Sequence, residues 1–584
     1  MSAAVLVLEE ISLRLGDPNS GQALLDGVSA RFGRGQLVGV VGPSGCGKST
    51  LLKVIAGLAE PTAGTVRWDG RDLAEEDDLA PTELGYVPQF SIAHDGLTVG
   101  ECVDYALRLR VADLDAAERA ERVAELLNTT GLAALAERPV RVLSGGQRRR
   151  LSLAIELAPA PALLLCDEVT SGLDPGSERE ILDLLRALTQ SGGTGDGGNG
   201  GGRLVLNVTH SLARLEHYDT VVVLVGGVVA YAGRPEFLAH YFSVETAEDI
   251  YPRLANRTPI EWRDSWRKHG EHFEEDAAAA IPLEKIDCPP VVAPAPPATK
   301  TPDFATQFRV VLEWRLRLFL RDRAGLALQA ALVLGFPCLV VIFALRGLPQ
   351  IRNLSLEGEL NVIEQLRESA AYLAQAVDVG GLVSGLLLFQ IILLALMGAN
   401  NAALEIAGER QLFESEKLAG LSPAAYLGAK TLFLAGLVTV QAVWMAAFVR
   451  WVCAFPGDFF GQVALLWLAD AAVTAVCLAF SSWARSAQQA SLVSIYFVGF
   501  QLPLSGAVLA LPENLALVTR PFIAAYWSWA GAVGTLRDTR FYDLVLTITK
   551  TELSALPACV WVLAAHIALG LLVAWLGCRR TENK

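Results

Sequence analysis

Hydrophobic patterning changes character near residue 304. Before it, short apolar and β-branched runs recur at Leu37–Val41, Leu163–Cys166, Leu204–Val208 and Thr220–Val225, separated by amphipathic stretches such as Asp115–Leu127 and Glu178–Leu188. Strands alternating with helices predict an α/β domain with a largely parallel sheet over residues 1–240. After it the chain carries long uncharged stretches. A bilayer core needs about 20 apolar helical residues. Six segments qualify, at about 324–345, 379–404, 431–449, 459–484, 486–512 and 553–578, with Asp470 as the single charge inside them. The expected architecture is an α/β domain followed by an all-α domain of six transmembrane helices.

Between the two halves, residues 241–303 are mixed and charged and end in CPPVVAPAPPAT, whose five prolines favour an extended connector. Residues 304–323 follow as an amphipathic helix, with Phe304, Phe308, Val311, Leu312 and Phe319 opposed to Arg309, Arg315, Arg317 and Arg321. It is expected to lie along the inner membrane surface. Residues 192–202 hold eight glycines in eleven positions and predict a surface loop that buries nothing. The loop 346–378 predicts a helix around Asn361–Ala376. The loop Glu513–Glu552, with Tyr526, Trp527 and Trp529, predicts an outer-interface or re-entrant segment.

Composition narrows the classes. Hydrophobic residues make up 52% and charged residues 19%, in keeping with a membrane protein, and the net charge of −14 with no basic patch argues against nucleic acid as a partner. Nine cysteines without a C-x-x-C pair read as reduced thiols. The acidic N-terminal decapeptide has no secretory pattern, so the α/β half is expected on the cytoplasmic side of the cell membrane. Arg321, Arg323, Arg579, Arg580 and Lys584 at the inner ends of the first and last spans agree with this placement.

Chemistry concentrates in the first half. Gly42-Pro43-Ser44-Gly45-Cys46-Gly47-Lys48-Ser49-Thr50 fits G-x-x-x-x-G-K-[ST] between an apolar strand and a helix. Glycines let backbone N–H groups converge on phosphate oxygens, and the helix start favours negative charge. Lys48 is expected on the β- and γ-phosphates of ATP, and Ser49 on Mg²⁺. The strand Leu163–Cys166 ends in Asp167 and Glu168, suited to hold the Mg²⁺ shell and to polarise the attacking water.

Leu143-Ser144-Gly145-Gly146-Gln147 discriminates further. With it the chain resembles the ATP-binding cassette (ABC) transporter family, and the rest of that family's motifs follow in order. Gln89 in GYVPQF matches the loop glutamine that senses Mg²⁺ and touches the membrane domain. Ser171-Gly172-Leu173-Asp174 matches the loop at the dimer seam, and His210 in NVTHS matches the switch histidine at the γ-phosphate. The resemblance implies that Ser144, Gly145, Gly146 and Gln147 of one subunit cap ATP on the phosphate loop of another. Glu168, His210 and Gln89 would act in hydrolysis. The family's adenine-stacking aromatic would fall on Leu15, a departure from the pattern.

A cassette ahead of six spans resembles the G subfamily (white-like half-transporters) and bacterial ABC-2-type exporters. Residues 405–417, EIAGERQLFESEK, resemble that subfamily's E-x-x-x-E-R-x-x-F-x-x-E coupling segment. Glu405, Glu409, Arg410 and Glu416 are expected to dock this segment on the cassette near Gln89. The implied function is ATP-driven export of a lipophilic or amphipathic molecule, a lipid or drug, by a dimer of two copies. Two alternatives stay open: a polysaccharide or glycolipid exporter, and a membrane-anchored regulatory ATPase. Within the spans, Asp470 and His566 are candidate polar sites.

Overall fold

The computed structural model describes residues 5–15, 22–74, 79–89, 92–190, 202–278, 300–345, 369–453, 455, 457–507, 511–549, 551 and 553–580. Most of the glycine-rich insertion, the proline-rich run and the first part of the helix expected at 361–376 lie outside the described residues. The chain forms two compact units, Met1–Val310 with Glu414–Ser422, and Val311–Phe413 with Pro423–Arg580.

The first unit holds β1 (Leu6–Leu15), β2 (Gln22–Phe32), β3 (Leu37–Val41), α1 (Lys48–Ile55), β4 (Ala63–Trp68), β5 (Arg71–Asp72), β6 (Leu84–Val87), α2 (Val99–Arg110), α3 (Ala116–Thr129), α4 (Gly145–Glu156), β7 (Leu163–Asp167), α5 (Pro175–Gln190), β8 (Leu204–Val208), β9 (Thr220–Val225) and β10 (Val228–Gly233). Six strands form one sheet in the order β10-β9-β3-β8-β7-β6. Its β9-β3-β8-β7-β6 pairs are parallel, while β10 returns antiparallel on β9. Every position of β3, β7 and β8 is buried, as expected of strands covered on both faces. Strands β2-β1-β4-β5 form a second, antiparallel sheet that the alternation of strands and helices did not announce.

Register fixes the functional edge. Val40 lies opposite Val208, Asp167 opposite Val208, and Val87 opposite Cys166. The carboxyl ends of β3, β8, β7 and β6 therefore finish together, and the segments after them emerge side by side, where ligands of open α/β sheets gather.

Residues 241–278, expected as part of a connector, belong to the body of the first unit. The helices α6 (Leu238–Phe242), α7 (Ile250–Leu254) and α8 (Pro259–Ala278) place Phe242, Trp262 and Trp266 against Tyr231 of β10 and Tyr241. Trp262 donates its indole N–H to the Leu254 carbonyl at 3.1 Å, so its one polar atom is satisfied although the ring is buried.

Helix α9 (Phe304–Arg321) leads into the second unit, which continues with α10 (Arg323–Ala344), α11 (Ser369–Ala402), α12 (Arg410–Leu418), α13 (Pro423–Cys453), α14 (Phe459–Trp483), α15 (Ala487–Gln501), α16 (Glu513–Thr519), α17 (Ala524–Gly534), α18 (Arg540–Thr549) and α19 (Leu556–Arg579). Among the described residues, five helical stretches are long and apolar enough to cross a membrane: Arg323–Ala344, Val379–Leu418, Pro423–Cys453, Phe459–Trp483 and Leu556–Arg579. Their outer members expose apolar side chains, with Ile342 and Phe343 of α10 57% and 65% exposed, as lipid contact requires. Helices α14 and α19 approach closely: a Cβ on Gly570 would meet the Ala475 backbone at 2.7 Å.

The sixth expected span, 486–512, differs. Helix α15 has 15 residues, about 22 Å at 1.5 Å per residue against a hydrocarbon core of about 30 Å. Pro503 opens a 3₁₀ turn directly after it, and Gly506 then adopts φ 70°. Proline lacks the N–H that would continue the ladder and clashes with the preceding turn. The predicted aromatic loop contributes α17, buried along most of its length; Gln501 accepts a hydrogen bond from the Ala525 N–H at 3.0 Å, and the Trp529 indole donates to Ser384 at 3.1 Å.

Candidate functional site

The phosphate loop turns between β3 and α1. Gly42 has φ 155° and lies so close to its neighbours that a Cβ would meet the Leu224 carbonyl oxygen at 2.2 Å. Gly47, at φ 102°, would meet Leu24 O at 2.7 Å, so the loop closes only with glycine at both positions. Lys48 begins α1, is 5% exposed, and donates from Nζ to the carbonyls of Gly42 at 2.9 Å and Pro43 at 3.1 Å. Its ammonium is thus folded over the loop that would cradle phosphate. Ser44, Gly45 and Cys46 complete the turn, with Cys46 buried, and Thr50 lies in the first turn of α1.

Ser49 donates to Asp167 Oδ1 at 2.8 Å. Burial raises the Asp167 carboxyl above its ordinary range, opposed by the Ser49 hydrogen bond and reinforced by the neighbouring Glu168. These two hard oxygens, side by side at the neck of the loop, match the donor set of a Mg²⁺ that also takes phosphate and water.

Glu168 follows with φ 53°, a left-handed backbone that a non-glycine residue adopts at a cost of about 1–3 kcal/mol. The surroundings hold it there. Its N–H donates to Val208 O at 3.1 Å, Gln89 Nε2 donates to Oε2 at 2.8 Å, and His210 Nε2 lies 2.6 Å from Oε1. His210 Nδ1 is 3.5 Å from Lys48 Nζ. The tautomer with hydrogen on Nε2 satisfies both contacts, donating to Glu168 and accepting from Lys48. Strand ends thus bring Gln89, Lys48, Ser49, Asp167, Glu168 and His210 into one continuous polar cluster.

The motif residues Ser144–Gln147 form a separate surface. Ser144 caps α4 by accepting from the Gln147 N–H at 3.3 Å, while Gln147 Oε1 accepts from the Ser144 N–H at 3.0 Å, a capping box. Gly146 faces Leu173 and Ser177, and Asp174 accepts from the Gly176 and Ser177 N–H groups and the Ser177 hydroxyl. Capping leaves the first N–H groups of α4 at an exposed end, suited to an anion. Leu15 ends β1 and is 59% exposed, offering no ring for a base.

The coupling segment divides between the units. Glu405 bonds Arg315 at 2.5 and 2.8 Å and Lys430 at 3.1 Å; Glu409 bonds Lys430 at 2.5 Å and accepts from the Tyr426 hydroxyl at 2.5 Å; Arg410 donates to the Ser482 carbonyl. These contacts lie inside the second unit. Glu416 lies in the first, bonded to Arg110 at the end of α2. In the spans, Asp470 is fully buried beside Gly398, with Thr474 donating to Oδ1 at 3.4 Å. His566 bonds the Val562 carbonyl of its own helix at 2.8 Å.

Sequence reading did not single out Arg110, Glu156 or Tyr251. A lone acid in the apolar helix LSLAIEL was a usable signal for Glu156. Tyr251, whose hydroxyl donates to His210 O at 3.2 Å, had none.

Residues 25–171 match the family described as ABC transporter, and residues 306–527 the family described as ABC-2 type transporter. An ABC transporter ATP-binding/permease protein of Mycobacterium tuberculosis is 30% identical over 541 residues, covering 88% of this chain and 56% of that protein. The chain thus spans little more than half the length of this relative. A methionine import ATP-binding protein of Brucella abortus is 32% identical over 275 residues, 46% of this chain and 70% of that protein. A Nod factor export ATP-binding protein of Ralstonia nicotianae is 34% identical over 249 residues, 42% of this chain and 73% of that protein.

Proposed function

The chain belongs to the ABC transporter family and joins its ATPase cassette to an ABC-2 type membrane domain, and on that premise we propose that two copies form an exporter of a lipophilic or amphipathic molecule in the cell membrane, with the cassettes in the cytoplasm. ATP hydrolysis coupled to transport is the family's activity. Direction does not follow from the cassette, since its relatives include one named for import and one for export. The export reading rests on the fusion of cassette to ABC-2 type helices and on the coupling segment between α11 and α13.

One observation carries the chemistry: Glu168 stands in a strained backbone between Gln89 and His210, beside Lys48 and the Ser49–Asp167 pair. Lys48 and the loop N–H groups would bind the phosphates, and Ser49 and Asp167 would hold Mg²⁺, which when bound neutralises phosphate charge. Glu168 would orient and polarise the attacking water, with His210 fixing the carboxylate and reaching the γ-phosphate. Ser144 and Gly146 of the second copy would close the site.

Inverted membrane vesicles given ATP outside test this. Uptake of a lipophilic probe is expected with the wild type and lost with Glu168→Gln. Equal uptake by both would reject transport driven by this site. If no lipophilic or amphipathic compound altered the ATPase rate, the membrane-anchored regulatory ATPase would be the better reading.

A further inference from the structure

Arg110 ends α2 and is 1% exposed. Its guanidinium forks between two carboxylates. Nη2 donates to Glu156 Oε1 at 3.0 Å and to Glu416 Oε1 at 3.1 Å, Nε to Glu416 Oε2 at 3.4 Å, and Nη1 to the Ile155 carbonyl at 3.1 Å. Glu156 and Glu416 are both 7% exposed. One buried cation therefore serves two buried acids, and an acid that left the fork would give up its cationic partner while still inside the protein. Burial pushes the Glu156 carboxyl up, and Arg110 opposes that shift.

Each carboxylate belongs to a different working part. Glu156 is the last residue of α4, the helix that Ser144–Gln147 opens. Its second oxygen accepts the Tyr86 N–H at 3.3 Å, on edge strand β6 and three residues before Gln89. Gln89 in turn holds Glu168. Glu416 lies in Glu414–Ser422, the piece of the coupling segment that packs with the first unit. The same piece is fastened again by Gln307, which donates to Gly420 O at 2.9 Å and accepts from the Ser422 N–H at 2.9 Å.

We propose that Arg110 and Glu156 are a positioning pair that ties the coupling segment to both the nucleotide-capping helix and the strand carrying Gln89. Nucleotide-driven movement of Gln89 or of α4 is then felt at Glu416 through a single planar fork. Arginine suits this place because separate N–H groups of one planar fork reach Glu156, Glu416 and the Ile155 carbonyl in a fixed relative geometry, where a lysine offers a single rotating ammonium. The proposal deepens the coupled-transport reading and rests on residues 405–417 conveying motion.

Amide exchange of residues 414–422, measured on the full-length protein in lipid nanodiscs with and without Mg–AMP-PNP, tests it. Wild type is expected to change exchange by about fivefold or more on nucleotide binding, the lower end of coupling between linked sites. Arg110→Lys and Glu156→Gln are expected to reduce that response below about twofold while AMP-PNP half-saturation moves by less than about threefold. Should either variant fail to bind nucleotide, Glu416→Gln decides the question by the same criterion. A wild-type response retained in the nucleotide-binding variants, or none in wild type, overturns the proposal. Probe uptake plays no part in this measurement, so failure of the transport reading in vesicles is separately visible.

Discussion

At Gly398 of α11 there is room for a hydrogen atom but not for a methyl group against α14. A Cβ there would fall 2.4 Å from Asp470 Oδ1 and 2.5 Å from Thr474 Oγ1, distances that require two buried groups to move. Gly398→Ala should therefore destabilise the membrane unit by about 1–3 kcal/mol, the range for overpacking. Gly335 of α10 has no atom within 4 Å of such a Cβ, and Gly335→Ala should leave the thermal midpoint in detergent unchanged or slightly raised. Equal midpoints for the two variants would refute the steric account. Asp470 was visible in the sequence as a lone acid among apolar residues. That its room comes from a glycine 72 positions earlier was not, because no local pattern links residues that meet only across packed helices.

Elements show the same division. Strands β3, β7, β8 and β9 were legible because buried parallel strands are continuous apolar runs, and α3 and α5 because Asp115–Leu127 and Glu178–Leu188 are amphipathic at helical spacing. Residues 486–512 read as one uninterrupted apolar segment for a related reason: hydropathy counts apolar residues and is blind to Pro503, beside which α15 ends in mid-run. The break gives Gln501 its task. It is fully buried at the end of α15 and supplies the acceptor for the Ala525 N–H at the buried start of α17, a donor with no partner inside its own helix. Gln501→Leu should cost about 1–3 kcal/mol, the penalty for a buried donor left unsatisfied, read as a lowered thermal midpoint. The second-unit end of the coupling segment makes a stronger claim. Lys430, 1% exposed, serves both Glu405 and Glu409, and Lys430→Met leaves buried Glu405 and half-buried Glu409 with fewer cations than they need. A loss of about 3–5 kcal/mol follows from breaking such a pair, and a midpoint within a degree of wild type would rule it out.

Over the whole molecule, the hydrolytic chemistry was legible because Gly42–Thr50, Gln89, Asp167–Glu168 and His210 are short runs at the carboxyl ends of β3, β6, β7 and β8, strands of one sheet. The packing of Glu416 with the first unit was also expected, from the resemblance of residues 405–417 to a coupling segment; that Glu405, Glu409 and Arg410 make their contacts within the second unit was not, because a run of charges does not say which of its members faces which partner. The largest inference concerns two molecules. Among the described residues no hydrogen bond or ion pair joins the Ser144–Gln147 surface to the Lys48 cluster, as expected if the cap comes from a second copy. If two copies exchange these surfaces, Lys48→Met and Ser144→Arg should each abolish hydrolysis as pure homodimers, the first by losing the phosphate cation and the second by blocking the cap. A heterodimer isolated by two different tags pairs them otherwise. One site combines both lesions, while the other joins an intact Lys48 to an intact Ser144. ATP turnover should therefore reappear, up to about half of wild type if the two sites act independently, and at a lower level if they are coupled. Heterodimers no more active than either homodimer would contradict independent composite sites, and activity surviving in the Ser144→Arg homodimer would show that each chain completes its own site.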